Sequence, residues 1–450
     1  MAKKVCVGLA GIRFDPSFWG FKPKQYEQHA AKLGAVVRKM GYKFVACPET
    51  FENYKEAKRD ARFLKQKGAD IVVFDIEAYP EGKAAGEFVA NVDAPLILWS
   101  RNETYHNVNV GHNSFCGANF MGGVLTVQGR KFRQIFGAAN DKELKARLDT
   151  ACKLVGAAKA AASSKIGLFG EGIVPKFYDI DVNEADQKKL QQRWGIKFVG
   201  VSTKELVKRC ESYKDADVRK SRRKYTRHFD RIEISDEAID KQVRMLKAVS
   251  DISKKNKFAS IAIRCWPELQ TMYGSWPCPV ISVLNQTGLP AACEGDLGGA
   301  LDMLLASKLA KSPSTLMDIV DWDDKGDSFS IWHCGPTATS WADKKGSLLM
   351  GHDVDGSDER GRPKCGLPGI VDMQFAPSKV TVFRTLGALD DEFAVHGQIV
   401  TAPKRNICGS FGAVTKSSIY GEKRSAKEIR RQIFDRLLPH HYTAVHGHVL

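Results

Sequence analysis

Val5-Cys6-Val7-Gly8-Leu9, near the start of this 450-residue chain, is an unbroken apolar run of the length of one buried strand. Beyond it Tyr26, Ala30, Leu33, Val37 and Met40 recur at helical spacing as far as Gly41, a residue suited to closing a helix, and Phe44-Val45-Ala46 is apolar again. A helical pattern through Ala57, Ala61 and Leu64 then leads into a strand from Asp70 to Asp75, and Ala94 to Trp99 is a further apolar run. Strand and helix alternating in this way imply a parallel sheet covered on both faces. Residues 1–160 are therefore expected to form a Rossmann-like, doubly wound α/β domain. The dinucleotide fingerprint is missing, because the first strand runs into Gly8-Leu9-Ala10-Gly11-Ile12-Arg13 with no third glycine and no helix starting there. Gly122-Gly123 and Gly167 to Gly172 read as turns.

A second α/β domain is expected over residues 161–322. It opens on Lys165-Ile166-Gly167-Leu168-Phe169 after a small-residue helix through Ala157 to Ala162. Ser235 is placed to cap a helix whose Ile239, Val243, Leu246, Val249 and Ile252 form one apolar stripe. Ser260 to Ile263, Val280 to Leu284 and Leu316 to Val320 read as strands, with a helix through Ala300, Leu301, Leu304 and Leu305. From there the pattern changes to strand-like runs, Ser328 to Trp332, Lys379 to Thr385 and Val395 to Thr401, separated by Gly, Pro and Asp turns. Residues 323–450 are expected to be a β-rich, antiparallel, barrel-like domain. Asp323-Asp324-Lys325-Gly326 suits a hairpin turn, so those carboxylates need no chemical role.

Composition is globular, with 43% hydrophobic and 27% charged residues. The N-terminus has neither the apolar length nor the cleavage site of a signal peptide, and no run reaches membrane-spanning length. A soluble, cytoplasmic protein is expected. Eleven cysteines stand singly with no CxxC pair, which disfavours a disulfide framework and a thiolate zinc site. The formal net charge of +16 admits an anionic substrate or nucleic acid. Its densest run, Arg219 to Arg231 with Tyr225 and Phe229 interleaved, reads first as a solvated helical face, and no nucleic-acid-binding signature accompanies it.

Chemistry concentrates in Ala291-Ala292-Cys293-Glu294-Gly295-Asp296, Asp318-Ile319-Val320-Asp321 and Ile331-Trp332-His333-Cys334-Gly335, with His440-His441 near the C-terminus. Asp318 is the most unexpected residue, since a carboxylate inside an apolar strand is costly to bury unless paired, hydrogen-bonded or metal-bound. His333 at the end of an apolar run reads more often as a satisfied core histidine than as a ligand, and His440-His441 reads as an exposed loop. Together, carboxylate and imidazole suit Mn²⁺, with Co²⁺ or Fe²⁺ as alternatives, better than Ca²⁺ or structural Zn²⁺. Two carboxylates beside one cation can move a proton between adjacent sugar carbons, which is an aldose–ketose interconversion through an enediol.

The run Arg264-Cys265-Trp266-Pro267-Glu268-Leu269-Gln270, then Gly274, Cys278 and Leu284-Asn285, then the Glu294, Asp318 and His333 segments and the terminal Pro439-His440-His441-Tyr442 resemble the fucose isomerase-like branch of the L-fucose and L-arabinose isomerase superfamily. The resemblance spans essentially the whole chain and is strongest from 260 to 340. It implies two Rossmann-like domains followed by a β-rich domain, and a Mn²⁺-dependent ketol isomerase in which Glu294 and Asp318 are both metal ligands and the acid/base pair. It also implies His441 as the remaining ligand and His333 as a residue contacting metal or substrate. Gly11-Ile12-Arg13 resembles a segment whose arginine reaches the sugar in a neighbouring subunit's site, so Arg13 is a candidate sugar contact and a homo-oligomer, a hexamer in that family, is implied. Phe14-Asp15-Pro16 departs from the family there. Trp99, Trp266 and Gln270 stand as candidates for lining the site, against a plainer reading of the tryptophans as core.

Within that class the positive charge suits an anionic hexose, sulfonated or phosphorylated, such as sulfoquinovose. A non-catalytic sugar-binding protein is the alternative from another class.

Overall fold

A computed structural model describes residues 4–13, 25–103, 105–106, 109–110, 112–170, 182–266, 268–351, 368–401 and 407–449. Phe14-Asp15-Pro16, Gly172 and Pro267 lie outside the described residues. The chain divides into two compact units, Met1–Lys159 and Ala160–Leu450.

In the first unit the elements run β1 (Cys6–Ile12), α1 (Tyr26–Lys39), β2 (Lys43–Ala46), α2 (Tyr54–Gln66), β3 (Ile71–Ile76), α3 (Gly82–Ala90) and β4 (Leu96–Ser100). A short ribbon, β5 (Tyr105–His106) and β6 (Asn109–Val110), precedes α4 (Ser114–Val127), β7 (Phe132–Phe136) and α5 (Lys142–Ala161). The sheet is parallel in the order β2-β1-β3-β4-β7. The central strands β1, β3 and β4 are buried at every position because both faces are covered. Val5, Val7 and Leu9 pack with Leu33 and Val37 of α1 and Leu144 and Leu148 of α5. On the other side Ala10, Ile12 and Phe74 meet Ala57, Ala61 and Leu64 of α2 and Phe88 of α3. Gly11 allows the close approach of α1, since a Cβ there would sit 2.6 Å from the Tyr26 ring.

The second unit contains a parallel sheet and an antiparallel one. Its first half comprises β8 (Lys165–Phe169), α6 (Glu184–Trp194), β9 (Lys197–Val201), α7 (Thr203–Glu211), α8 (Asp215–Thr226), β10 (Arg231–Ile232) and α9 (Asp236–Asn256). There follow β11 (Phe258–Ile263), α10 (Glu268–Tyr273), α11 (Cys278–Gln286), β12 (Ala291–Ala292) and α12 (Leu297–Ala310). The parallel sheet has the order β12-β11-β8-β9. Ser235 caps α9 as expected, accepting from the Ala238 amide at 3.2 Å.

The chain then enters β13 (Ser314–Asp323), β14 (Ser328–His333), β15 (Leu348–Gly351), β16 (Pro368–Gln374), β17 (Ser378–Leu386), β18 (Asp391–Val400), β19 (Ser410–Ile419), β20 (Glu422–Lys423), α13 (Ala426–Asp435) and β21 (His441–His446). Six of these strands pair antiparallel in the circuit β14-β13-β21-β17-β18-β19 and back to β14, which closes a barrel. Met317, Phe329, Ile331, Val380, Val382, Phe393, Val395 and Ala444 belong to one buried apolar cluster with it. The architecture is thus parallel α/β layers followed by an antiparallel β-barrel.

Three expectations are corrected. Gly122-Gly123 lies inside helix α4 and is not a turn. Val280 to Leu284 is helical, within α11, rather than a strand. Every residue from Cys278 to Asn285 is buried, so the segment is apolar on all sides and shows no helical stripe, which is why its β-branched run resembles a strand. His441 opens strand β21 and is buried, whereas the sequence alone suggests an exposed loop.

In the basic segment, Tyr225 and Phe229 are buried in the core and pack edge-to-face, and Arg222 is paired with Asp240 at 2.8 Å. These two rings are not available to stack nucleic-acid bases. No described helix is long and apolar enough to cross a membrane.

Candidate active site

The second unit brings together Glu294, Asp318, His333 and His441. Asp318 lies on β13 directly opposite His441 of β21, so the hydrogen-bond register of the barrel sets carboxylate and imidazole side by side. On its other side Asp318 faces Trp332, one residue before His333 at the end of β14. Glu294 comes from the turn between β12 and α12, where its backbone is left-handed with φ of 59°. A glutamate pays a steric penalty of about 1 kcal/mol for that conformation, strain of the kind that collects at functional sites.

His441 is the hub of the arrangement. Its Nε2 is 3.7 Å from a Glu294 oxygen and 3.6 Å from an Asp318 oxygen. Its Nδ1 is 3.1 Å from Asp296 Oδ2, which orients the ring and leaves Nε2 facing the two carboxylates. Asp296 is held in turn. It caps α12 by accepting from the Gly299 amide at 2.6 Å, and Arg384 of β17 grips it with two hydrogen bonds of 2.7 and 3.0 Å. Burial alone would raise the pKa of Asp296, but the Arg384 charge and the hydrogen bonds from His441 and Arg384 overcome that and hold it far below the usual aspartate range.

Ligand atoms of Asp318, His333 and His441 all lie within 4.8 Å of one another, as do those of Glu294, His440 and His441. Donors on one divalent ion at about 2.1 Å stand roughly 3–4 Å apart, so this spacing suits one cation. Asp318 Oδ1 and His333 Nε2 are buried without a hydrogen-bond partner, a costly arrangement that a cation or a polar substrate would relieve. Burial works against a charge on His333, yet the Cys334 side chain and then the carboxylates of Asp318 and Glu294 outweigh it and push its pKa up to about 10. That upward push comes first from the neighbouring Cys334 side chain, and the two carboxylates add to it. The donor set is all oxygen and imidazole and fits Mn²⁺, Co²⁺ or Fe²⁺.

The remaining candidates are carried by other segments. Arg13 and Trp99 belong to the first unit, where Arg13 pairs with Glu52 at 2.5 Å and Trp99 is core, its indole N–H donating to the Gly137 carbonyl at 2.9 Å. Trp266 is 40% exposed just before α10, and Gln270 lies on that helix. Asp296 and Arg384, which fix the His441 ring, were not among the residues singled out from the sequence. Asp296 was visible inside Cys293-Glu294-Gly295-Asp296, whereas Arg384, in the strand-like run Val380 to Leu386, carries no local sign that it faces inward.

No family model matches the chain. Among characterised proteins it is similar to the sulfoquinovose isomerase of Priestia aryabhattai, 23% identical over 322 residues that cover 71% of this chain and 69% of the relative. The sulfoquinovose isomerase of Alkalicoccus urumqiensis is 22% identical over 384 residues, covering 84% of this chain and 82% of that one. Likeness to solved structures is slight. A type B ribose 5-phosphate isomerase from Trypanosoma cruzi aligns with a TM-score of 0.15 and 14% identity over 33% of this chain and 95% of its own, too little to bear on function.

Proposed function

We propose that this chain is a Mn²⁺-dependent aldose–ketose isomerase acting on an anionic hexose, with sulfoquinovose the first substrate to test. The observation that carries the proposal is the convergence of the Glu294 and Asp318 carboxylates on His441 Nε2, with Asp296 and Arg384 locking the ring from behind. The similarity to sulfoquinovose isomerases supports the substrate class.

Glu294, Asp318 and His441 would hold the ion, and His333 would face metal or substrate. Once bound, Mn²⁺ supplies polarisation of the carbonyl and acidification of the adjacent C–H. The protein supplies the proton transfers. One carboxylate takes the proton from C2 of the aldose, and a carboxylate returns a proton to C1 while the hydroxyl proton passes from O2 to O1, so substrate and product are isomers. Glu294 and Asp318 suit this work because their side chains remain partly exposed, 21% and 25%, whereas His441 is buried and fixed. Two sites of different polarity are thereby separated: an anchored imidazole, and two carboxylates that solvent and sugar can reach.

Glu294→Gln keeps the shape of the side chain and removes its basicity. With Mn²⁺ and sulfoquinovose, the folded variant is expected to lose at least about a hundredfold in kcat, the lower end of general acid–base contributions. A folded Glu294→Gln protein turning over at near the wild-type rate would reject the assignment.

A further inference from the structure

Cysteines with no pairing in the sequence converge in space. Cys278 opens helix α11, Cys293 follows strand β12, Cys334 follows strand β14, and Cys265 follows strand β11. Sulfur atoms of Cys278, Cys293 and Cys334 all lie within 4.8 Å of one another, with Cys278 and Cys334 at 3.4 Å. Cys265 stands beside this group, 3.8 Å from Cys293. All four are free thiols, three buried and Cys334 partly exposed.

We propose that Cys278, Cys293 and Cys334 form a second metal site, for a thiophilic d¹⁰ ion of the zinc class, with Cys265 placed as a fourth thiol. The spacing is that of coordination. Thiolates bound tetrahedrally at about 2.3 Å stand about 3.8 Å apart, between the closest and the widest separations seen here. Cys334 Sγ also lies 3.1 Å from His333 Nδ1, so the sulfur group touches the oxygen and imidazole cluster. Binding converts thiols to thiolates and releases their protons to solvent.

The site is distinct in chemistry from the oxygen and imidazole cluster, and it does not depend on the isomerase reading. It is nonetheless joined to that cluster by the chain, because Cys293 precedes Glu294 and Cys334 follows His333. A soft ion here would therefore brace the two segments that present Glu294 and His333.

The test is a Cd²⁺ titration of the reduced, metal-stripped, full-length protein, followed by sulfur-to-cadmium charge-transfer absorption in the near ultraviolet. The expected result is a band saturating at one equivalent, lost in Cys278→Ser and Cys334→Ser and kept in Glu294→Gln and in Cys152→Ser, a buried cysteine of the first unit. Should the serine variants fail to fold, alkylation of the native wild-type protein decides. Bound Cd²⁺ is expected to slow the modification of Cys278, Cys293 and Cys334 at least tenfold, mapped by mass spectrometry. Absence of the band in folded wild-type protein, a band that survives both serine substitutions, equal alkylation with and without Cd²⁺, or a Cys278–Cys334 disulfide that persists under reduction would each overturn the proposal.

Discussion

Asp296 does three jobs from one buried carboxylate: it caps α12, receives the fork of Arg384 and orients His441. Removing its charge while keeping its shape separates these roles, because an asparagine oxygen still accepts from the Gly299 amide. Outer-shell partners of metal-bound histidines are worth roughly 10–100-fold in affinity. Asp296→Asn is accordingly expected to weaken Mn²⁺ binding by that factor, read by electron paramagnetic resonance of free Mn²⁺ in a titration. An unchanged affinity in the folded variant would show that Asp296 serves only the helix and Arg384. Asp318 and His333 were legible in the sequence because they stand out against apolar strands, whereas the role of His441 rested on the family resemblance. Arg384 was not legible, since a cation on a strand reads as outward-facing until the barrel shows it buried.

Helix α12 is clamped to strand β17 by a second buried carboxylate. Asp302 accepts from the Thr385 backbone N–H at 3.0 Å and from the Thr385 hydroxyl, with Arg384 Nε at 3.9 Å. Burial raises its pKa to about 7, against the opposing pull of Arg384 and Thr385. The folded value is above the unfolded one of about 3.9, so the fold takes up a proton that the unfolded chain has lost. That contribution is complete below about pH 4 and is lost as pH rises through about 7, a change of roughly 4 kcal/mol. Asp302→Asn should abolish it. Relative to the variant, the wild type is expected to lose stability between pH 4 and 7.5 in denaturant unfolding of metal-free protein, and parallel pH profiles would contradict the clamp. Legibility differed among elements for physical reasons. Strands such as β1 and β3, helix α9 with its Ser235 cap, and the β13–β14 hairpin announce themselves through local pattern. Helix α11 does not, because an element buried on every side loses the periodicity that identifies it. Strand β21 is fixed by pairing with β13 and β17, contacts that are distant in sequence.

Across the whole molecule, the succession of parallel layers and then antiparallel strands follows from hydrophobic period, and the sequence shows it. Closure of the barrel does not follow from period. It depends on β18 pairing with β19 and on β21 inserting between β13 and β17, and that insertion sets His441 against Asp318. The cysteine cluster is invisible for the same reason, its members lying at the start of one helix and just beyond three separate strands. The central claim is that this assembly moves a proton between sugar carbons. Its most direct test is NMR of the Mn²⁺-loaded protein in D₂O with sulfoquinovose and with neutral and phosphorylated aldoses. Ketose signals together with deuterium at the exchanging carbon, for the anionic sugar in preference to the neutral ones, are the predicted result. A folded, metal-loaded protein that binds the anionic sugar yet yields neither ketose nor deuterium would contradict the account.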